Sequence, residues 1–148
     1  MASSGAAEAD FLSFLQICVM RLSLSVVVVM VIGISLVLVG VTAIVAPMFA
    51  SAMYGVAVME RTAQTYVWAA GIRDIAIGCW LLALAVLSAG LRVLGISVMA
   101  AALIPAGDSI IVWAAAGEHS AFALALHGSS AIVFVAIGSW LLRSAHEP

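Results

Sequence analysis

The sequence contains no lysine, and its five basic residues are all arginines set far apart, at 21, 61, 73, 92 and 143. That excludes the clustered basic surface on which nucleic-acid binding depends. Charge of either sign is scarce. Charged residues make up 8% of the 148, against about 25% in soluble domains. The net charge of −2 is too small to call for a charged partner. The two cysteines, Cys18 and Cys79, form no CxxC pair and are expected to behave as small apolar side chains rather than as a disulfide. HExxH, paired histidines at metal-ligand spacing and a Walker-type glycine loop are all missing. No metal and no cofactor is therefore expected.

What fills the space is hydrocarbon. Hydrophobic residues make up 66% of the chain, too many for a water-facing surface, so lipid is the expected solvent. A membrane helix needs about 20 mostly apolar residues. Leu22 to Ala46 supplies 25 and stops before Pro47. That is longer than the roughly 7–15 residues of a signal-peptide core, and Glu8 and Asp10 precede it rather than a basic cluster. It reads as a retained helix. The Val26–Val29 run would suit a strand in water, but in lipid the backbone must satisfy itself, which favours helix.

Three further spans are expected at about 65–89, 91–116 and 120–142, flanked by tails at 1–21 and 144–148. A connector from Pro47 to about Gln64 follows the first span, and its apolar first part is expected to lie along the interface as a short helix. Gly90-Leu91-Arg92 and Gly117-Glu118-His119 are expected tight turns. Links this short force antiparallel neighbours, so the fold class is an all-α, up-down-up-down four-helix membrane bundle. Arg21, Arg92 and Arg143 fall on one side and Arg61 on the other, which places both termini in the cytoplasm by the positive-inside rule. Gly33 and Gly40 are seven apart, as are Gly71 and Gly78, a spacing that marks close helix approach in lipid.

Ionisable residues within a span cost about 2.5–3.5 kcal/mol each on insertion scales, so they face the bundle interior and one another. Arg73 lies eight residues into the second span, Asp108 eight before the end of the third, and His127 seven into the fourth. At 1.5 Å per residue all three sit roughly 10–12 Å below one surface. Three independent helices agree on depth. Asp74 shares a face with Gly71 and Gly78, turned toward a neighbouring helix. Asp108 is grouped with Ala101, Ile104, Ile111 and Ala115, and Pro105 is expected to bend the helix just before it.

Each has a plainer reading. Arg73 with either aspartate is also a register-pinning ion pair, and a lone His127 is commonly a satisfied interior histidine. Glu60, Arg61, Glu118 and His119 read as solvated loop charges, and Arg92 and Arg143 as interfacial residues whose charged ends reach water.

Tyr54-Gly55, Gly71-Ile72-Arg73-Asp74 with Gly78, Arg92 with Gly95, Ile104-Pro105 with Asp108, and His127 together resemble the small four-helix membrane proteins of domain-of-unknown-function family 4267. The resemblance spans about 47–143. It implies the fold and these polar positions but no reaction, and it points faintly to lipophilic small-molecule chemistry.

Two carboxylates, an arginine and a histidine in an apolar cavity form an acid–base set. It suits epoxide opening by water, cyclisation or double-bond isomerisation of a molecule that enters from lipid. The expected roles are Asp108 as base, Asp74 as acid or orienter, Arg73 as clamp, and His127 as positioner of substrate or water. The competing expectation is a structural or accessory membrane subunit whose polar cluster fixes helix pairing. A proton or solute conduit is the third, and the sparse polar track of Ser88, Ser97 and Ser139 disfavours it. The expected partners are the lipid bilayer and a lipophilic small molecule, with homo-oligomerisation left open.

Overall fold

The computed structural model describes the backbone of residues 4–55, 61–115 and 121–146, and the side chains of 24–55, 64–114 and 121–146. Six helices follow in order: α1 (Ser4–Val45), α2 (Pro47–Tyr54), α3 (Arg61–Val86), α4 (Leu91–Ala101), α5 (Leu103–Ala115) and α6 (Ala121–Ser144). Four stretches are long and apolar enough to cross a membrane: Leu24–Val45, Gln64–Val86, Leu91–Ala114 (α4 and α5 together) and Ala121–Ser144. The outward faces carry large apolar side chains such as Leu38, Ile72, Leu87 and Ile132. Such a surface fits a membrane protein, since lipid covers it without cost.

Glycine decides which helices pair. A methyl group built on Gly71 would stand 2.7 Å from the Gly40 carbonyl oxygen, and one on Gly78 would stand 2.6 Å from that of Gly33. The two heptad-spaced pairs therefore face each other in antiparallel register, and α1 and α3 pack backbone to backbone. The same device recurs between α4 and α6, where methyl groups on Gly95 and Gly138 would each lie 3.1 Å from the other's carbonyl oxygen. Where water is absent, close van der Waals contact of this kind is a main source of helix association. The bundle is two such antiparallel pairs set side by side.

Where the pairs meet, the main apolar core sits at one end. Val29 and Ile32 of α1, Leu81 and Ala85 of α3, Leu94 and Val98 of α4 and Leu141 of α6 form it. This is the end of the α3–α4 turn. That turn takes its left-handed residue at Ser88 (φ 55°), while Gly90 is extended ahead of α4.

The third span is broken. α4 ends at Ala101 and α5 restarts at Leu103, with Ala102 in the gap donating to the carbonyls of Val98 and Met99 at 3.1 and 3.2 Å. Pro105 has no N–H for the Ala101 carbonyl and crowds it, so the helix yields one turn before the proline. The buried face beyond the break runs through Ala102, Pro105, Asp108 and Val112, whereas Ile111 is 53% exposed. Asp108 therefore shares its face with Val112, and the expected grouping with Ile111 is corrected.

α1 begins at Ser4, so helical backbone runs through the segment read as a tail. The links at 56–60 and 116–120, including Glu60, Glu118 and His119, lie outside the described residues, as do the side chains of Cys18, Arg21 and Arg61.

Candidate functional site

At the opposite end from the apolar core, the interior is polar. Arg73 and Asp74 come from α3 and Asp108 from α5. The Arg73 Nε donates to Asp74 Oδ1 at 3.0 Å, and its Nη2 reaches Asp108 Oδ2 at 3.5 Å. One guanidinium thus stands between two carboxylates. The Asp74 and Asp108 side chains are 13% and 9% exposed, while that of Arg73 is 38% exposed. The acids are sunk, and the base between them opens to the outside.

His127, on α6, joins this group only through a residue that the reading of ionisable groups passed over. The Tyr54 hydroxyl donates to Asp108 Oδ1 at 2.7 Å. The Tyr54 ring meets the imidazole of His127 edge-on, with centroids 4.7 Å apart and planes at 62°. The Tyr54 carbonyl lies 3.3 Å from His127 Nε2. A carbonyl only accepts, so Nε2 is the nitrogen that carries hydrogen here. All four expected residues are brought together, and the tyrosine completes the set.

The placement of Tyr54 follows from how α2 is built. Pro47 opens the helix at its first position, where a missing N–H is harmless. Gly55 closes it in the left-handed conformation (φ 94°), its N–H donating to the carbonyls of Ser51 and Ala52. The carbonyls of a helix's last turn have no partner within the helix, and that of Tyr54 finds His127. Six residues separate Ala121 from His127, so the end of α2 reaches about 9 Å along α6. The C-terminal end of the connector helix thus meets α6 at the level of His127. Sequence carries one weak signal of this: Tyr54-Gly55 is a polar-tipped aromatic followed by a helix terminator.

The Tyr54 phenol is held well above its ordinary pKa of 10.0, first by burial, then by its hydrogen bond to Asp108 and that carboxylate's charge. It is a neutral donor at any physiological pH.

Open space borders two sequence neighbours of the cluster, and an apolar groove further along is lined by none of the cluster residues. A methyl group on Gly107 or Gly128, the neighbours of Asp108 and His127, would meet nothing within 4 Å. An apolar groove of about 530 Å³ runs between α4–α5 and α6, walled by Met99, Ala102, Leu103 and Ala106 on one side and Ala131, Ile132 and Val135 on the other. Ala131 lies one helical turn from His127.

Among the described residues, no group of three or more His, Cys, Asp or Glu is arranged to hold a metal ion. The other residues singled out lie apart from the cluster: Arg92, Arg143 and Cys79 are exposed.

Residues 33–141 match the profile of a family described as "Domain of unknown function (DUF4267)". No curated protein and no solved structure matches the chain.

Proposed function

We propose, from the premise that this chain belongs to the DUF4267 family, that its polar cluster is an acid–base site acting on a lipophilic small molecule. The observation that carries the reading is the Asp74–Arg73–Asp108 chain, with Arg73 Nε on one carboxylate and Nη2 on the other. Asp108 meets a donor on each oxygen, which fixes it in place for the role of base. Asp74 meets Arg73 through one oxygen, leaving the other to hold and deliver a proton. Arg73 fixes their separation, and His127 positions water or substrate.

For an apolar epoxide the steps balance simply. Asp108 takes a proton from water as the water oxygen attacks a ring carbon. Asp74 delivers its proton to the epoxide oxygen as the C–O bond breaks, and the product is a diol. Cyclisation and double-bond isomerisation would use the same pair. The open ground beside Gly107 and Gly128 and the apolar groove near His127 support entry from lipid. An arrangement of chemistry shared with other architectures supports the class of reaction only.

A second reading has its own support. The cluster draws α2, α3, α5 and α6 together across the two helix pairs, as a structural pin would. A pin predicts no turnover. The scattered arginines support both termini in the cytoplasm, which labelling of single cysteines placed in the tails from each side would test.

The test of function is incubation of the purified protein in mixed micelles with a panel of apolar epoxides in ¹⁸O-labelled water, read by mass spectrometry. The site reading expects a diol carrying one label, formed at least about a hundredfold more slowly by Asp108→Asn. Isomerisation or cyclisation would appear instead as deuterium gained from heavy water. No product above background from epoxides or from isomerisable apolar alkenes would leave the structural pin.

A further inference from the structure

We propose that Tyr54 is a positioning residue of this site: its hydroxyl holds and aims the Asp108 carboxyl group, while its ring and carbonyl fix His127. The inference rests on the acid–base reading and adds a group from α2, which lies outside the four candidate spans.

Three contacts converge on this residue: its hydroxyl on Asp108 Oδ1, its carbonyl on His127 Nε2, and its ring on the imidazole. A hydrogen bond given to a carboxylate favours the charged form, and bonds to charged groups are the strong ones. Among the described residues, the titratable and charged groups around Asp108 are Tyr54 from α2, Arg73 and Asp74 from α3, and His127 from α6 beyond Tyr54. Asp74 repels a charge on Asp108, and Arg73, shared between both acids, stands 3.5 Å away. The phenol at 2.7 Å is the closest donor and is committed to Asp108 alone. It also has no charge of its own to surrender, since burial and Asp108 keep it protonated.

The helix that carries it makes the arrangement specific. Gly55 ends α2 immediately after Tyr54, so the carbonyl is left for His127 rather than taken up by a further helical turn. That contact places hydrogen on Nε2 and leaves Nδ1 as the imidazole's acceptor in its neutral form. One residue thereby orients a carboxyl group on one helix and sets the tautomer of a histidine on another.

The test uses dicyclohexylcarbodiimide, an apolar reagent that reacts with protonated carboxyls. The acid proton passes to a carbodiimide nitrogen while the carboxylate oxygen bonds to the central carbon. The adduct then rearranges to a stable N-acylurea that peptide mass spectrometry locates. In micelles of the full chain at neutral pH, Tyr54→Phe is expected to raise labelling of Asp108 about tenfold, the size of a lost bond to a charged group. Tyr66→Phe is expected to leave it unchanged. Labelling of Asp74, which the phenol does not touch, is expected to stay as in wild type, where a mere change in access would raise both.

Unchanged Asp108 labelling in a Tyr54→Phe protein that still assembles would overturn the proposal. If that variant does not assemble, Asp108→Asn in a Tyr66→Phe background answers the same question. The Tyr54 phenol, followed by absorbance, should then titrate closer to 10.0, and an unmoved titration refutes the coupling. Neither readout needs turnover. A labelling change in a protein that opens no epoxide would retain the coupling and sink the catalytic reading.

Discussion

Arg73 is the residue on which the cluster's charge depends, because among the described residues it is the one cation between two carboxylates. Removing one partner of a sunken pair leaves the other's charge uncompensated, which costs more than the pair contributes. The side chain is 38% exposed, so the full buried-pair penalty does not apply. Arg73→Gln is expected to lower stability by about 1–3 kcal/mol, read from unfolding in mixed detergent micelles. Tyr54 gives a separate signature in pH. Its pKa is raised in the folded state, so its contribution is whole below the ordinary value of 10.0 and lost as pH climbs past it. The protein should therefore lose stability above about pH 10, and Tyr54→Phe should flatten part of that alkaline decline relative to Tyr66→Phe. Arg73, Asp74, Asp108 and His127 were legible because an ionisable group in an apolar span is costly and stands out. Tyr54 stood out only through the family resemblance, since a tyrosine in an apolar connector violates no rule of composition.

Among elements, the glycine pairs and the broken third span decide where those side chains meet. The antiparallel register of α1 and α3 follows from Gly33 against Gly78 and Gly40 against Gly71. A Cβ at Gly71 would also stand 2.9 Å from the Ala43 methyl. Gly71→Ala is accordingly expected to force the pair apart at a cost of about 1–3 kcal/mol. Gly128→Ala, with nothing within 4 Å, should be neutral or stabilising by up to about 1 kcal/mol, because alanine is the better helix former. Unfolding midpoints of the two variants measured side by side check the contrast. Heptad spacing marked both helices of the first pair for close approach before the structure, without saying which helix each meets. The Gly95–Gly138 pair was not, since each helix supplies a single glycine to it and no repeat announces it. Pro105 announced a bend, but its position at Ala102 and the turn of Asp108 toward Val112 depend on how α5 packs on α6. The seating of Tyr54 at the end of α2 depends on contacts with Asp108 and His127, which lie far off in sequence.

For the whole molecule, hydropathy was sufficient to read the class: a helical bundle with four helices long and apolar enough to cross a membrane. The division of labour along the bundle was only half visible. The agreement in depth among Arg73, Asp108 and His127 pointed to one polar layer. The packing of Val29, Leu81, Leu94 and Leu141 at the other end could not be picked out from so many similar residues. That division is what makes a site tenable. One end holds the helices together, so the other can carry buried carboxylates whose desolvation works against folding. The most direct measurement is the thermal unfolding of Asp108→Asn beside wild type in micelles, with and without apolar epoxides. Asparagine keeps an acceptor for Tyr54 and removes the buried charge. The account predicts a variant at least as stable as wild type that has lost the ligand-induced rise in Tm. A variant that simply unfolds, with no apolar ligand ever shifting the wild type, would contradict it and leave the cluster as a pin.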